Sequence, residues 1–128
     1  MGHETYRAAL KFEAIPFPEK TNYVFTRNRK LRDSQNVRYL SAQIPDFVRR
    51  LKRKKGKNIW LAGGGQINTL LLNNDLIDEM ILSIHPIVLG SGIPLFAGKP
   101  RTTRWELLKT KTFDNGLLQL FYRKVRKP

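Results

Sequence analysis

Cysteine is absent from the 128 residues. That excludes disulfides, thiolate metal sites and thiol nucleophiles. No apolar run approaches the roughly 18 residues of a membrane-spanning helix. The first ten residues, MGHETYRAAL, lack the apolar core of a secretion signal, so a cytoplasmic protein without a membrane partner is expected. Histidine is scarce: His3 and His85 lie far apart and neither belongs to a metal-ligand spacing, so no metal is expected. Acidic residues are also few, 10 against 24 Lys and Arg, for a net charge of +14. So large an imbalance points to an anionic partner: nucleic acid, a phosphate-bearing small molecule or an acidic surface.

Hydrophobic residues make up 41% of the chain, which excludes wholesale disorder and suits a single domain over residues 1–128. The positive charge is clustered. Seven basic residues fall within RRLKRKKGK at 49–57, five within TRNRKLRDSQNVR at 26–38 and four in the tail RKVRKP.

Strand and helix signals alternate. TYRAAL (5–10) reads as a short helix behind Gly2, NYVFT (22–26) as an apolar strand and VRYLS (37–41) as another. Ile44, Phe47, Val48 and Leu51 have the spacing of one buried helical face, with Pro45 suited to the first turn and Gly56 to the C-terminal cap. NIWLA (58–62) has the composition of a buried strand, and GQINTLLLNND (65–75) is helical. A strand from about Glu79 to Ile84 ends before Pro86. RWELLKTKTF and LLQLFYRKV flank DNG, a strong hairpin signal. The pattern predicts an α/β sheet with an antiparallel edge.

The stretch IWLAGGGQINTL carries the most chemistry. A strand entering a helix through glycines presents free backbone N–H groups at the positive end of the helix dipole, with no side chains to hold an anion away. LAGGGQIN therefore reads either as an anion seat, best suited to a pyrophosphate, or as a tight turn where helix packs on strand. It is neither GxGxxG nor a Walker A loop. Two other segments fit the first reading. In MGHET, Thr5 is suited to capping a helix or binding phosphate. In FTRN, Thr26, Arg27 and Asn28 follow the C-terminal end of a strand, where ligands of open α/β sheets gather, and Arg27 suits a second phosphate.

MGHETY, NYVFTRN, IWLAGGGQINTLLLNNDLIDEMILSIHPIVLGSGIPLF and the closing GLLQLFYRK together resemble the dihydrofolate reductase-like superfamily. The resemblance is closer to the reductase domain of the riboflavin-biosynthesis deaminase-reductase and its small stand-alone relatives. These segments span most of the chain in order, and 59–96 is the most specific block. The resemblance implies a dihydrofolate reductase-like three-layer α/β fold, with a mostly parallel mixed central sheet and a C-terminal antiparallel hairpin. It implies an NADPH-dependent reductase of a small heterocycle, pterin-like or riboflavin-pathway pyrimidine-like, acting as a homodimer. By the same resemblance Ala62, Gly63, Gly64, Gly65, Gln66, Ile67 and Asn68 hold the pyrophosphate beside the nicotinamide. Gly2, His3 and Thr5 meet it from the other side, with His3 where relatives often carry Arg. Thr26, Arg27 and Asn28 meet the 2′-phosphate end of the adenosine. No general acid is assigned. Family members usually carry a strand, a substrate loop and a helix ahead of the segment matching MGHETY. The expectation is thus an N-terminally incomplete domain, with a gap beside IWLA and weak stability or strand exchange with a partner.

Other candidates rank lower. His85 and the neighbouring Asp78 and Glu79 read as strand-flanking residues rather than an acid–base pair. The 49–57 run is an alternative binding face for nucleic acid. It is not favoured, because Phe47 belongs to the buried stripe and Trp60 to a buried strand, so no aromatic interleaves the charges. An inactive remnant is the third reading.

Overall fold

Val24 and Phe25 are adjacent on one strand and so face opposite sides of it; that alternation organises the first half of the molecule. In the computed structural model, which describes residues 1–14 and 16–126, they lie on β1 (Asn22–Phe25), paired in parallel with β2 (Val37–Leu40). Val24 packs with Tyr6 and Val37 on one face. Tyr6 comes from helix α1 (His3–Leu10). On the other face Phe25 packs with Val48 and Leu71. These come from α2 (Ile44–Arg53) and α3 (Gly65–Asn73). Each face of the small parallel sheet thus has its own apolar cluster and its own helical cover, the arrangement that parallel strands require.

Helix α2 forms where its spacing predicts. Pro45 sits in its first turn with Asp46, while Arg50, Lys52 and Arg53 occupy its last turn, each charge matched to the nearer end of the helix dipole. Ile44 and Phe47 pack beside Val48 against the Phe25 cluster. The cap is not at Gly56: the helix ends at Arg53, and Lys54 turns extended. Helix α1 starts two residues earlier than its sequence suggests, with Gly2 as N-cap, so Thr5 lies inside the first turn and caps nothing.

The second half is a separate antiparallel sheet in the order β3–β5–β4, from β3 (Glu79–Ile84), β4 (Trp105–Thr112) and β5 (Leu118–Lys124). The β4–β5 hairpin closes at DNG, where Gly116 adopts φ 87° and donates its N–H to Phe113 O at 3.0 Å. The register of β4 on β5 shifts between Leu107 and Lys109.

Two expectations are corrected. The strands do not form a single mostly parallel sheet: among the described residues β1 and β2 are the one pair of strands that runs parallel, and β3, β5 and β4 form a separate antiparallel sheet. And NIWLA at 58–62 is not a buried strand: it has no ladder partner among the described residues, Ile59 is half-exposed and Trp60 is 64% exposed. Composition marks a segment as apolar, but a strand exists only where a neighbour accepts its hydrogen bonds. Here the first backbone contact after Trp60 comes at Gly63, whose carbonyl accepts the Gly2 N–H at 2.7 Å.

Candidate functional site

The two helices that begin with glycine begin side by side. Gly2 is the N-cap of α1 and Gly64 the N-cap of α3, and neither helix has a side-chain cap hydrogen bond. The Gly2–Gly63 bond links the two starts. A Cβ on Gly2 would lie 3.6 Å from Gly64 N, and one on Gly64 would lie 3.4 Å from Thr5 Oγ1. Two sets of first-turn N–H groups and two positive dipole ends therefore converge on one small volume of bare backbone. Gly63 adopts φ 102°, a conformation open to glycine and costly for other residues. The Gly63–Gly64 peptide is cis.

The β1 end joins the same place. Phe25 N–H donates to Met1 O at 2.9 Å, and Gly2 forms a parallel bridge with Phe25. Thr26 is buried, and its Oγ1 accepts the Asn28 N–H at 3.0 Å. Arg27 projects from this turn, exposed and with no ion pair among the described residues. The structure thus brings together the three segments singled out in the sequence, Gly2–Thr5, Thr26–Asn28 and Ala62–Asn68. His3 opens α1 and meets Tyr39 edge-on at 6.3 Å. Burial raises the Tyr39 phenol pKa, with the neighbouring Tyr6 and Asp33 adding to it. Ile67 packs toward Gly2, and Gln66 faces solvent.

Asn68 is the most informative side chain. It is buried, and its Nδ2 donates to Leu95 O at 2.8 Å, yet its Oδ1 has no hydrogen-bond partner. A buried acceptor left unpaired costs about 1–3 kcal/mol.

A role of α3 that sequence reasoning missed is holding the long β3–β4 connection. Thr69 Oγ1 donates to Ala97 O at 2.7 Å, Asn73 Nδ2 to Lys99 O at 3.1 Å, and Ala97 N–H to Gly65 O at 3.1 Å. The signal was available: Asn68, Thr69 and Asn73 are polar residues of a helix that is otherwise apolar apart from Gln66.

An open depression of about 1290 Å³ lies elsewhere, with Asp75, Asp78, Glu79, Arg101, Arg123 and Lys124 among its lining residues. Lys52–Asp78, Arg101–Asp75, Lys124–Asp75 and Arg123–Glu79 pair across it, while Arg104, Glu106 and Arg126 also line it and form no ion pair among the described residues. Asp78 and Glu79 are accounted for by these pairs, and His85 is exposed past the end of β3. Among the described residues no group of three or more His, Cys, Asp or Glu is placed to hold a metal, and no helix is long and apolar enough to cross a membrane.

Residues 14–119 match the family model of the RibD C-terminal domain. Two uncharacterized Bacillus subtilis (strain 168) proteins are similar in sequence. YwjB is 37% identical over 95% of this chain and 70% of its own length, and YyaP is 40% identical over 80% of this chain. The match spans 54% of YyaP, about half its length. A solved structure of a Shewanella sp. PV-4 protein, provisionally assigned to riboflavin biosynthesis, superposes with a TM-score of 0.81 and 28% identity. It covers 98% of this chain and 72% of that one. A pyrimidine reductase-like protein from Corynebacterium diphtheriae shares the fold, with a TM-score of 0.63 and 21% identity over 82% of this chain and 50% of that one.

Proposed function

The chain belongs to the RibD C-terminal domain family, and from that premise we propose that it is an NADPH-dependent reductase of a small heterocycle of the riboflavin-pathway pyrimidine type. The observation that carries the reading is the meeting of two uncapped helix N-termini at Gly2, Gly63 and Gly64, beside the end of a parallel strand. A pyrophosphate suits that place: its charge meets free N–H groups and two dipole ends, and the glycines let it come within hydrogen-bonding distance. Thr5, from the first turn of α1, adds a hydroxyl. Arg27 has the free guanidinium needed to pair with a 2′-phosphate, with Thr26 and Asn28 shaping its turn. Asn68 backs the turn from within, its Nδ2 donating to Leu95 O. His3, Ala62, Gln66 and Ile67 form the rim and floor.

Bound there, the dinucleotide would supply a hydride to an adjacent heterocycle. The protein's own part is positioning. Backbone amides fix the anionic end, and the α3 turn fixes the angle at which the chain of the cofactor leaves it. In this reading the fold is of the dihydrofolate reductase-like kind and the protein is a cytoplasmic homodimer. The exposed apolar residues Ile87, Val88, Leu89 and Ile93 of the β3–β4 connection support association with a second copy.

The test is titration with NADPH, followed by nicotinamide fluorescence. Gly64→Ala is the diagnostic variant. Its Cβ would make only an ordinary contact with Thr5 Oγ1, at 3.4 Å, so folding should survive while the anion seat is obstructed. Losing one or two charge-assisted hydrogen bonds weakens affinity roughly 10- to 100-fold. Arg27→Gln should lower affinity for NADPH and leave NADH binding nearly unchanged. A parent protein that binds neither nucleotide, or a Gly64→Ala protein that binds NADPH as the parent does, would refute the reading.

A further inference from the structure

The basic run that follows the middle of α2 is better placed for binding than its sequence suggests. From Phe47 to Asn74 the chain contains no Asp or Glu, yet it carries all seven cations of 49–57. Two of these are matched from outside the stretch: Arg49 pairs with Asp46 at 2.6 Å and Lys52 with Asp78 at 2.6 Å. The other five, Arg50, Arg53, Lys54, Lys55 and Lys57, are exposed and form no ion pair among the described residues. Three residues beyond Lys57 stands Trp60, 64% exposed, with its ring braced edge-to-face by Phe17 at 5.0 Å between centroids. Three residues span at most about 10 Å, so the indole lies within reach of a chain whose phosphates contact the cations.

We propose that Arg50, Arg53, Lys54, Lys55, Lys57 and Trp60 form a binding surface for single-stranded nucleic acid, separate from the glycine-turn site. The cations supply the phosphate contacts and the indole supplies a stacking platform for a base, the pairing that single-strand recognition uses. A single strand is favoured over a duplex because stacking on Trp60 requires an unpaired base. It is favoured over an anionic lipid surface because α2 has no apolar face to insert: Ile44, Phe47 and Val48 are committed to the Phe25 cluster. A solvated basic face would require no aromatic beside it, and Trp60 is among the most exposed large apolar side chains outside the β3–β4 connection.

Fluorescence anisotropy with labelled 15-mer single-stranded oligonucleotides, deoxythymidine and uridine, tests the proposal on the full chain. Binding is expected, with log affinity falling against log salt at a slope of roughly −3.5 for five phosphate contacts on a single strand. Replacing Arg53, Lys54, Lys55 and Lys57 together by Gln should remove most of the slope and the measurable binding. Trp60→Ala should weaken binding at least about 5-fold and leave the slope intact. Circular dichroism melts on both variants separate loss of binding from loss of folding, since all the substituted side chains are exposed. Trp60 fluorescence quenched by oligonucleotide, read in a Trp105→Phe background, would add direct support. Absence of binding at 50 mM salt, tight binding that ignores both variants, equal affinity for a blunt duplex, or binding only to vesicles containing a fifth phosphatidylserine would each overturn it.

Discussion

Replacing Gly65 by Ala tests the packing of α3 against the β3–β4 connection. Gly65 opens the helix with ordinary negative φ, so nothing in its own backbone demands glycine. Its surroundings do. A Cβ there would sit 2.6 Å from Pro94 O and 3.2 Å from both Ala97 N and Ala97 Cβ. Real Cβ contacts essentially never fall under 3.0 Å, so the connection must retreat by at least 0.4 Å. It is not free to do so. Ala97 N–H is bonded to Gly65 O, Leu95 O is held by Asn68 and Ala97 O by Thr69. Forcing a methyl into such a contact costs about 1–3 kcal/mol, and stretching the Ala97–Gly65 bond adds about 1 kcal/mol. The gain from restricting the unfolded chain, about 0.4–1 kcal/mol, offsets part of this. The expected net destabilisation is about 2 kcal/mol, read as a lower urea midpoint at unchanged m-value. Gly56→Ala is the control. No atom lies within 4 Å of its Cβ and its φ is not positive, so it should be neutral or slightly stabilising. If Gly65→Ala unfolds at the parent's midpoint, or Gly56→Ala suffers equally, the close approach of helix and connection is wrong. Hydrogen exchange gives a second reading, since the Ala97 amide should lose protection in Gly65→Ala.

Two further outcomes follow from the same contacts. Thr69→Val keeps shape and removes the hydroxyl bonded to Ala97 O, leaving that carbonyl without its donor. A loss of about 1–2 kcal/mol in urea unfolding is expected, and a neutral result would place the hydroxyl elsewhere. Asp75 accepts hydrogen bonds from Lys124 and Arg101, and the Lys124 bond is the largest cause that holds its pKa below the ordinary carboxylate value. Its contribution is therefore fully present above the unfolded-state pKa and disappears as pH falls through the lower folded value. The stability gap between the parent and Asp75→Asn should be open at neutral pH and close in strong acid. It should also narrow at high salt, because the carboxylate is exposed. A gap independent of pH would remove the ionic account.

Much of the local structure was legible in the sequence because local causes set it. The spacing of Ile44, Phe47 and Val48 fixes which face of α2 is buried, Pro45 marks where it begins, and DNG closes the hairpin through a glycine in the left-handed region. The candidate site was legible as three separate segments, MGHET, FTRN and AGGGQIN, each with chemistry suited to an anion. Where sequence reading failed, a distant neighbour decided. NIWLA reads as a strand by composition, but strand formation depends on a partner's hydrogen bonds, and without one Trp60 is exposed beside the basic run rather than buried. Gly56 reads as a cap by type, but α2 ends at Arg53 and its cap falls two residues sooner, at Lys54.

By itself, then, the sequence determined residue types, periodicity and the placement of glycine, which act over a turn of helix or a pair of strand residues. Only the tertiary structure decided that the starts of α1 and α3 stand side by side, joined by the Gly2–Gly63 hydrogen bond across 61 positions of chain. It alone decided that Asn68 would be buried with one acceptor unpaired. Both depend on contacts between residues far apart in the chain, and such contacts are set by the packing of Val24 and Phe25 into opposite clusters rather than by any local preference.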